Sequence, residues 1–269
     1  MATIQPFLAW RDDSSAGRPE EVLLQPEAFT LRMLCSRWTV VPILALAGVF
    51  CGRAAAQAPA TAQQQRFVVV LDAAHSGDDT GGRLANGQTE KAAALALSVK
   101  LRSVLNARGI TVVTTRESDA AMETDRRAGI ANHAKAAACL SLHATETGMG
   151  LHLFTSSLAP AEAARFAAWK TAQAAFVTRS LALAGALNSS LLDAGMKVTL
   201  GRTTLAGVNS MTCPAVAIEL APERGADGKV TAEPSDADYH ARVASTLAAA
   251  LLAWRADGTG TGTAGARQP

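Results

Sequence analysis

Residues 67–71 read Phe-Val-Val-Val-Leu, an apolar run with no polar face. Such a run cannot lie on a surface with one side in water; it suits a strand buried on both faces, as in a parallel sheet covered by helices on each side. The rest of the chain agrees. Residues 90–108 carry Leu95, Leu97, Leu101, Val104 and Leu105 at helical spacing, with Gly109 placed to cap the end. A strand is expected at 110–114, a helix at 124–137, and a strand at 138–142 that ends in His143. Another strand is expected at 150–155 (GLHLFT), an Ala-rich helix at about 161–192, a last strand at 215–220 (AVAIEL) and a closing helix at 239–255. Strands alternating with helices predict an α/β domain with a mostly parallel sheet flanked by helices on both faces. With 269 residues, one catalytic-sized domain plus short extensions is expected.

In open α/β sheets, ligands collect outside the carboxyl ends of the strands. His75 lies just past the end of the first strand, His143 at the end of the third, and Glu219 near the end of the last. Glu90 opens the first helix, where its carboxylate can face the Gly- and Asp-rich loop AAHSGDDTGG that bears His75. Taken singly, a strand-end His is commonly structural, and a Glu in a first helical turn commonly serves the helix dipole. Glu219 is different, because a carboxylate inside an apolar strand is costly unless it is paired or bound to a metal. Asp72 is open to two readings, a partner that orients a ligand or a loop cap. Lys91, Arg116, Asp119, Arg127 and Asn132 are read as fixing loops and helix ends, and His133 and His152 as surface or strand-side residues.

The first 56 residues read as a disordered start and a signal peptide: Arg37, an apolar stretch over 38–50, then Ala54-Ala55-Ala56-Gln57-Ala58 as an Ala-x-Ala processing site. The apolar stretch is shorter than the roughly 20 residues that span a bilayer. The signal works best from Met33, so Met1 is read as a mis-assigned start, with cleavage expected after Ala56. Residues 57–65 form a linker, 66–256 the folded domain and 257–269 a flexible tail. Export to the periplasm or beyond follows. Of four cysteines, Cys139 and Cys213 remain in the mature part, too few for a disulfide framework; they are read as buried small hydrophobes, with one bridge left open for an oxidising compartment. The formal charge of +2 and the lack of basic clusters give no reason to expect nucleic acid.

The ordered set VVVLDAAHSGDDTGG, GQTEK, TRESD, DRRAGIAN, SLHATE and PAVAIEL resembles the zinc-dependent N-acetylmuramoyl-L-alanine amidases of bacterial cell-wall turnover, across essentially 66–255. The resemblance implies zinc ligation by His75, Glu90 and His143, with Glu219 as the catalytic carboxylate. It implies hydrolysis of the amide between N-acetylmuramic acid and L-alanine of the murein stem peptide, by a zinc-activated water with Glu219 as general base. Two imidazoles, one carboxylate and a water make a four-coordinate zinc with an open position. The expected partners are peptidoglycan and an activator protein whose identity the sequence does not give; a monomer is expected.

The chain departs from the family pattern at Ala74 and Ser76 (Gly in the family), Thr145 (Asn) and Ala221-Pro222 (Gly-Phe). All four chemical groups survive. An added segment between 154 and 180 reads either as an extra surface helix or as a lip over the substrate groove carrying Trp169 and Gln173. Two alternatives share the sequence features. A zinc exopeptidase on murein peptides needs a placed cation for a free terminus, and no motif supplies one. A non-catalytic murein-binding module is expected to lack Glu219 or a ligand, and neither is missing.

Overall fold

The computed structural model describes residues 66–162 and 168–258. The expected disordered start, signal peptide and linker, and the tail beyond Gly258, lie outside them. The described residues all fall within the unit Pro59–Pro269.

Strand β1 (Val68–Ala73) sits near the middle of a six-stranded sheet, between β2 (Thr111–Thr114) and β3 (Ala138–Ala144), parallel to both. Beyond β3 come β6 (Ala215–Leu220), parallel to it, then β4 (Leu151–Ser156), antiparallel, and β5 (Val198–Thr203) at the edge, parallel to β4. The order is β2-β1-β3-β6-β4-β5, the mostly parallel sheet that the sequence predicts. β1 shows why its run has no polar face: Val69 and Leu71 belong to one buried cluster and Val70 to another. The first cluster lies under helices α1 (Glu90–Ala107), α3 (Val177–Asp193) and α4 (Ala237–Ala256). The second lies under α2 (Thr124–His133) and the 3-10 turn Val208–Ser210. Helices therefore cover both faces. A short ribbon, β7 (Glu223–Arg224) with β8 (Val230–Ala232), stands apart and is not among the expected elements.

Three expectations change. The helix expected to reach 137 stops at His133, because Lys135 takes a left-handed conformation (φ 48°) and the Ala137 N–H already donates to Val68 O at 2.8 Å, inside the sheet ladder. The helix expected over 161–192 divides into a 3-10 helix, Trp169–Phe176, and α3. Gln173 explains the division. Its side chain is fully buried, Nε2 donates to Met211 O (2.8 Å) and Cys213 O (3.0 Å), and Oε1 accepts from Ser180 Oγ (2.6 Å). Satisfying those groups draws the segment out of α-helical register. Trp169–Asp193 is long and apolar enough in composition to cross a membrane, yet Leu183, Leu187 and Leu191 are buried in the core. Third, Cys139 and Cys213 form a disulfide that ties β3 to the segment entering β6.

Candidate metal centre

Side chains alternate across a strand, so one parity sets which face each residue serves. On β1 and β3, odd-numbered Leu71 and even-numbered Leu140 and Leu142 point to the α1/α3/α4 core. Asp72, Ser141 and His143 therefore point to the α2 side, as do Glu219 on β6 and His152 on β4, whose neighbours Ile218, Leu220, Leu151 and Leu153 fill the opposite core. The register places His143 opposite Glu219, and Glu219 opposite His152. Three strands thus carry a polar row across the carboxyl end of the sheet. His143 lies within β3 rather than after it, and this fixes its ring by sheet register.

His75 comes from the loop after β1 and takes φ 60°, a conformation a non-glycine residue adopts at a cost. The loop is pinned by Arg116, whose guanidinium donates to the carbonyls of Ala73, Ala74 and Lys91 at 2.7–2.9 Å. It is also held by Asp119, which accepts from Gly77 N–H and pairs with Lys91. Arg116, Lys91 and Asp119 therefore fix this loop, and Asn132 fixes another by donating to Ser210 O and accepting from Thr212 N–H.

The outcome is convergence. His75 Nε2 lies 3.1 Å and His143 Nδ1 2.9 Å from Glu90 Oε1, and one ligand atom from each residue falls within 4.8 Å of the others. The other nitrogen of each ring is occupied. His75 Nδ1 donates to the Asp79 carboxylate at 2.8 Å. His143 Nε2 lies 3.3 Å from Ser141 Oγ, which itself donates to Asp72 Oδ2 at 3.0 Å. Assigning tautomers from these partners, His75 and His143 both turn a lone pair toward the same carboxylate oxygen. Ring protonation or a shared cation satisfies that arrangement. A nitrogen held from behind by a carboxylate or hydroxyl is the usual support of a metal-ligating imidazole. Adjacent donors on a tetrahedral zinc, with bonds of about 2.0–2.2 Å, stand roughly 3.3 Å apart, close to the 3.1 and 2.9 Å that separate the two ring nitrogens from Glu90 Oε1, so the donor types and these two spacings suit such an ion. Asp72 thus stands behind His143 through Ser141, and it also accepts from Thr115 Oγ1 and faces the buried Arg127 Nε at 3.4 Å.

The charges are strongly coupled. With the two rings protonated rather than sharing a cation, burial works to raise the Glu90 carboxyl, but hydrogen bonds from His143, His75 and the Gly82 N–H outweigh it and hold the group far below the usual carboxylate range. The Glu90 hydrogen bond raises His75 above its ordinary value against the opposing effect of burial, and Asp79 adds to the rise. Gly81 is what lets these groups meet. It has φ 60°, and a Cβ there would lie 2.6 Å from Glu90 Oε2 and 2.7 Å from His75 Cδ2.

Sequence reasoning missed two residues. His152 Nδ1 lies 2.8 Å from Glu219 Oε2, so it belongs to the polar row rather than to an unengaged strand side. The signal was present in GLHLFT, where His152 alternates with Leu151 and Leu153, but its partner Glu219 lies 67 residues later. Ser141, between Asp72 and His143, was the other. Gln173, read as a candidate substrate contact, is instead fully buried, and Trp169 is 44% exposed.

Fold and site together define an α/β domain with a cluster of two histidines and one carboxylate, able to hold a cation, at the carboxyl ends of its parallel strands. The chain belongs to the N-acetylmuramoyl-L-alanine amidase family, whose model matches residues 69–252. It is 40% identical over 77 residues to the N-acetylmuramoyl-L-alanine amidase AmiA of Escherichia coli (strain K12), which is 29% of this chain and 27% of that one. It is 41% identical over 90 residues to an endolysin of Bacillus phage SPP1, 32% of this chain and 33% of that one. The matches thus span about a third or less of these curated relatives. Among solved structures, the N-acetylmuramyl-L-alanine amidase of Mycobacterium smegmatis has a TM-score of 0.57 at 21% identity, covering 71% of this chain and 97% of that chain. The catalytic domain of CwlV from Bacillus (Paenibacillus) polymyxa var. colistinus has 0.53 at 23% identity, covering 71% and 98%. At these identities the likeness is one of fold.

Proposed function

We propose that this protein is an exported, zinc-dependent amidase that cleaves the bond between N-acetylmuramic acid and L-alanine of murein, with His75, Glu90 and His143 as zinc ligands and Glu219 as general base. The observation that carries the reading is the convergence of one ring nitrogen from each of His75 and His143 on Glu90 Oε1, with Glu219 in register beside His143, in a chain of this family. A zinc ion bound there supplies Lewis acidity, which polarises a carbonyl and acidifies water. The protein's own groups do the rest. Asp79 and the Ser141–Asp72 pair hold the two rings in the tautomers that ligate. Glu219 takes the proton of the attacking water and delivers it to the departing L-alanine nitrogen, the two-way duty of a carboxylate base. The Gly-Phe of the family pattern is Ala221-Pro222 here, and Thr145 stands for Asn, so reading of the stem peptide is where this chain differs. The exported state rests on the Arg37-led apolar stretch and the Ala-x-Ala site; the catalytic span 66–256 and a monomeric state complete the reading.

Mass spectrometry of murein fragments tests it. The mature protein, carrying about one zinc per chain, is expected to release intact stem peptides beginning with L-alanine; shortened peptides would instead mark an exopeptidase, and uncut fragments a binding module. Glu219→Gln should keep the zinc and the fold while slowing hydrolysis roughly a hundredfold or more. His143→Ala should lose zinc and activity together. Loss of zinc from Glu219→Gln would move Glu219 to the ligand set and refute the assigned roles.

A further inference from the structure

We infer that His152 is a positioning residue for Glu219, donating a hydrogen bond that fixes which carboxylate oxygen faces the attacking water; this rests on the reading of Glu219 as the base. The two residues are directly opposed on antiparallel β4 and β6, on the same face. His152 Nδ1 lies 2.8 Å from Glu219 Oε2, and both side chains are partly shielded, at 17% and 30% exposure.

The ring is held from two sides. Phe154, two residues on and therefore on the same face, meets it edge-on with centroids 6.2 Å apart. Phe154 lies across its β5 partner Gly201, where a Cβ would come within 2.8 Å of the Phe154 ring. On the far edge, Gly148 at φ 82° leaves just enough room: a Cβ there would lie 2.6 Å from His152 Cε1 and 2.8 Å from Nε2. Gly201, Phe154, His152 and Gly148 thus form a packed row that aims Nδ1 at Oε2.

The chemical consequence follows from what a glutamate base needs. Its carboxylate swings on three rotatable bonds, and a displacement of about 1 Å at the reacting geometry costs on the order of a hundredfold in rate. A donor fixed by sheet register holds Oε2 and leaves Oε1 for the water. His152 itself gives no proton to the substrate; it acts through Glu219.

His152→Leu is expected to lower kcat about 10- to 100-fold on soluble muropeptide with KM, thermal midpoint and zinc content unchanged. His152→Asn, whose Nδ2 takes the place of Nδ1, should recover kcat to within a few-fold of the wild type. In a Glu219→Gln background, His152→Leu should cost nothing further, because coupled residues are not additive. The imidazole 15N spectrum of the wild type should show His152 protonated at Nδ1 and shifted by Glu219→Gln. An unchanged kcat in His152→Leu, an Asn variant no better than Leu, or an equal loss in both backgrounds overturns the proposal. An inactive wild type overturns the amidase reading instead, and the 15N spectrum then decides the pairing separately.

Discussion

Gly81→Ala separates the contribution of backbone conformation from that of the metal site. Gly81 has φ 60°, where a Cβ costs about 1–2 kcal/mol. The added methyl would also stand 2.6 Å from Glu90 Oε2, 2.9 Å from Glu90 Cβ and 2.7 Å from His75 Cδ2. Neither residue can yield freely. Glu90 is fixed at the start of α1 with Oε2 accepting from the Gly82 N–H, and His75 is held by Asp79. Two of the three proposed ligands must therefore shift. Disturbing the support of a metal ligand weakens binding by about 10- to 100-fold, equivalent to roughly 1.4–2.8 kcal/mol. Gly87 provides the control, with φ 83° and no atom within 4 Å of a built Cβ. Gly87→Ala should show the backbone cost alone, a fall of about 2–8 °C in thermal midpoint, with wild-type zinc affinity. Competition against a chromophoric chelator measures that affinity. If Gly81→Ala binds zinc within twofold of Gly87→Ala, the reasoning about ligand crowding is refuted.

Gln173→Leu should strand the carbonyls of Met211 and Cys213 and cost about 2–4 kcal/mol, lowering the thermal midpoint by on the order of 10 °C and speeding amide exchange across Trp169–Phe176; an unchanged midpoint would show that the segment is not anchored there. His240 is 4% exposed, its Nε2 donates to Pro234 O at 2.7 Å, and burial lowers its pKa below 6.5. The unfolded chain then binds more protons just below pH 6.5, so this contribution is full above that pH and is lost as pH falls toward the folded value. His240→Gln should narrow the difference in urea midpoint between pH 7 and pH 5 in chelator-treated protein, and an unaltered difference would count against a buried neutral ring.

The local pattern was enough for β1, α1, β6 and α4, because each carries its burial in its own residues. The run FVVVL requires two covered faces, and the Leu97–Leu101–Leu105 spacing requires one helical stripe. Three of the four chemical groups were legible for a related reason: His75, His143 and Glu219 sit at strand ends, and parallel strands bring their ends together whatever their separation in sequence; Glu90 opens α1 beside them, and the role of each came from the family resemblance. β5 was not legible. Four of its six residues are exposed, and it becomes a strand only by pairing with β4 at the sheet edge. Nor was the division at Phe176, where helix propensity favoured continuity and the buried amide of Gln173 prevailed.

The sequence by itself determined the layered α/β class and the donors available to a metal, since both depend on residue type and short-range periodicity. Tertiary structure alone decided which donors meet and how they are held. The antiparallel register of β4 against β6 sets His152 on Glu219, and the β1–β3 pairing sets Asp72 beside Ser141 behind His143. Cys139 and Cys213 could be named as candidates for a bridge, but only the adjacency of β3 and the entry to β6 joins them. The physical reason is common to all three: strand register is a property of a pair of segments, and neither segment's composition encodes which partner it will face.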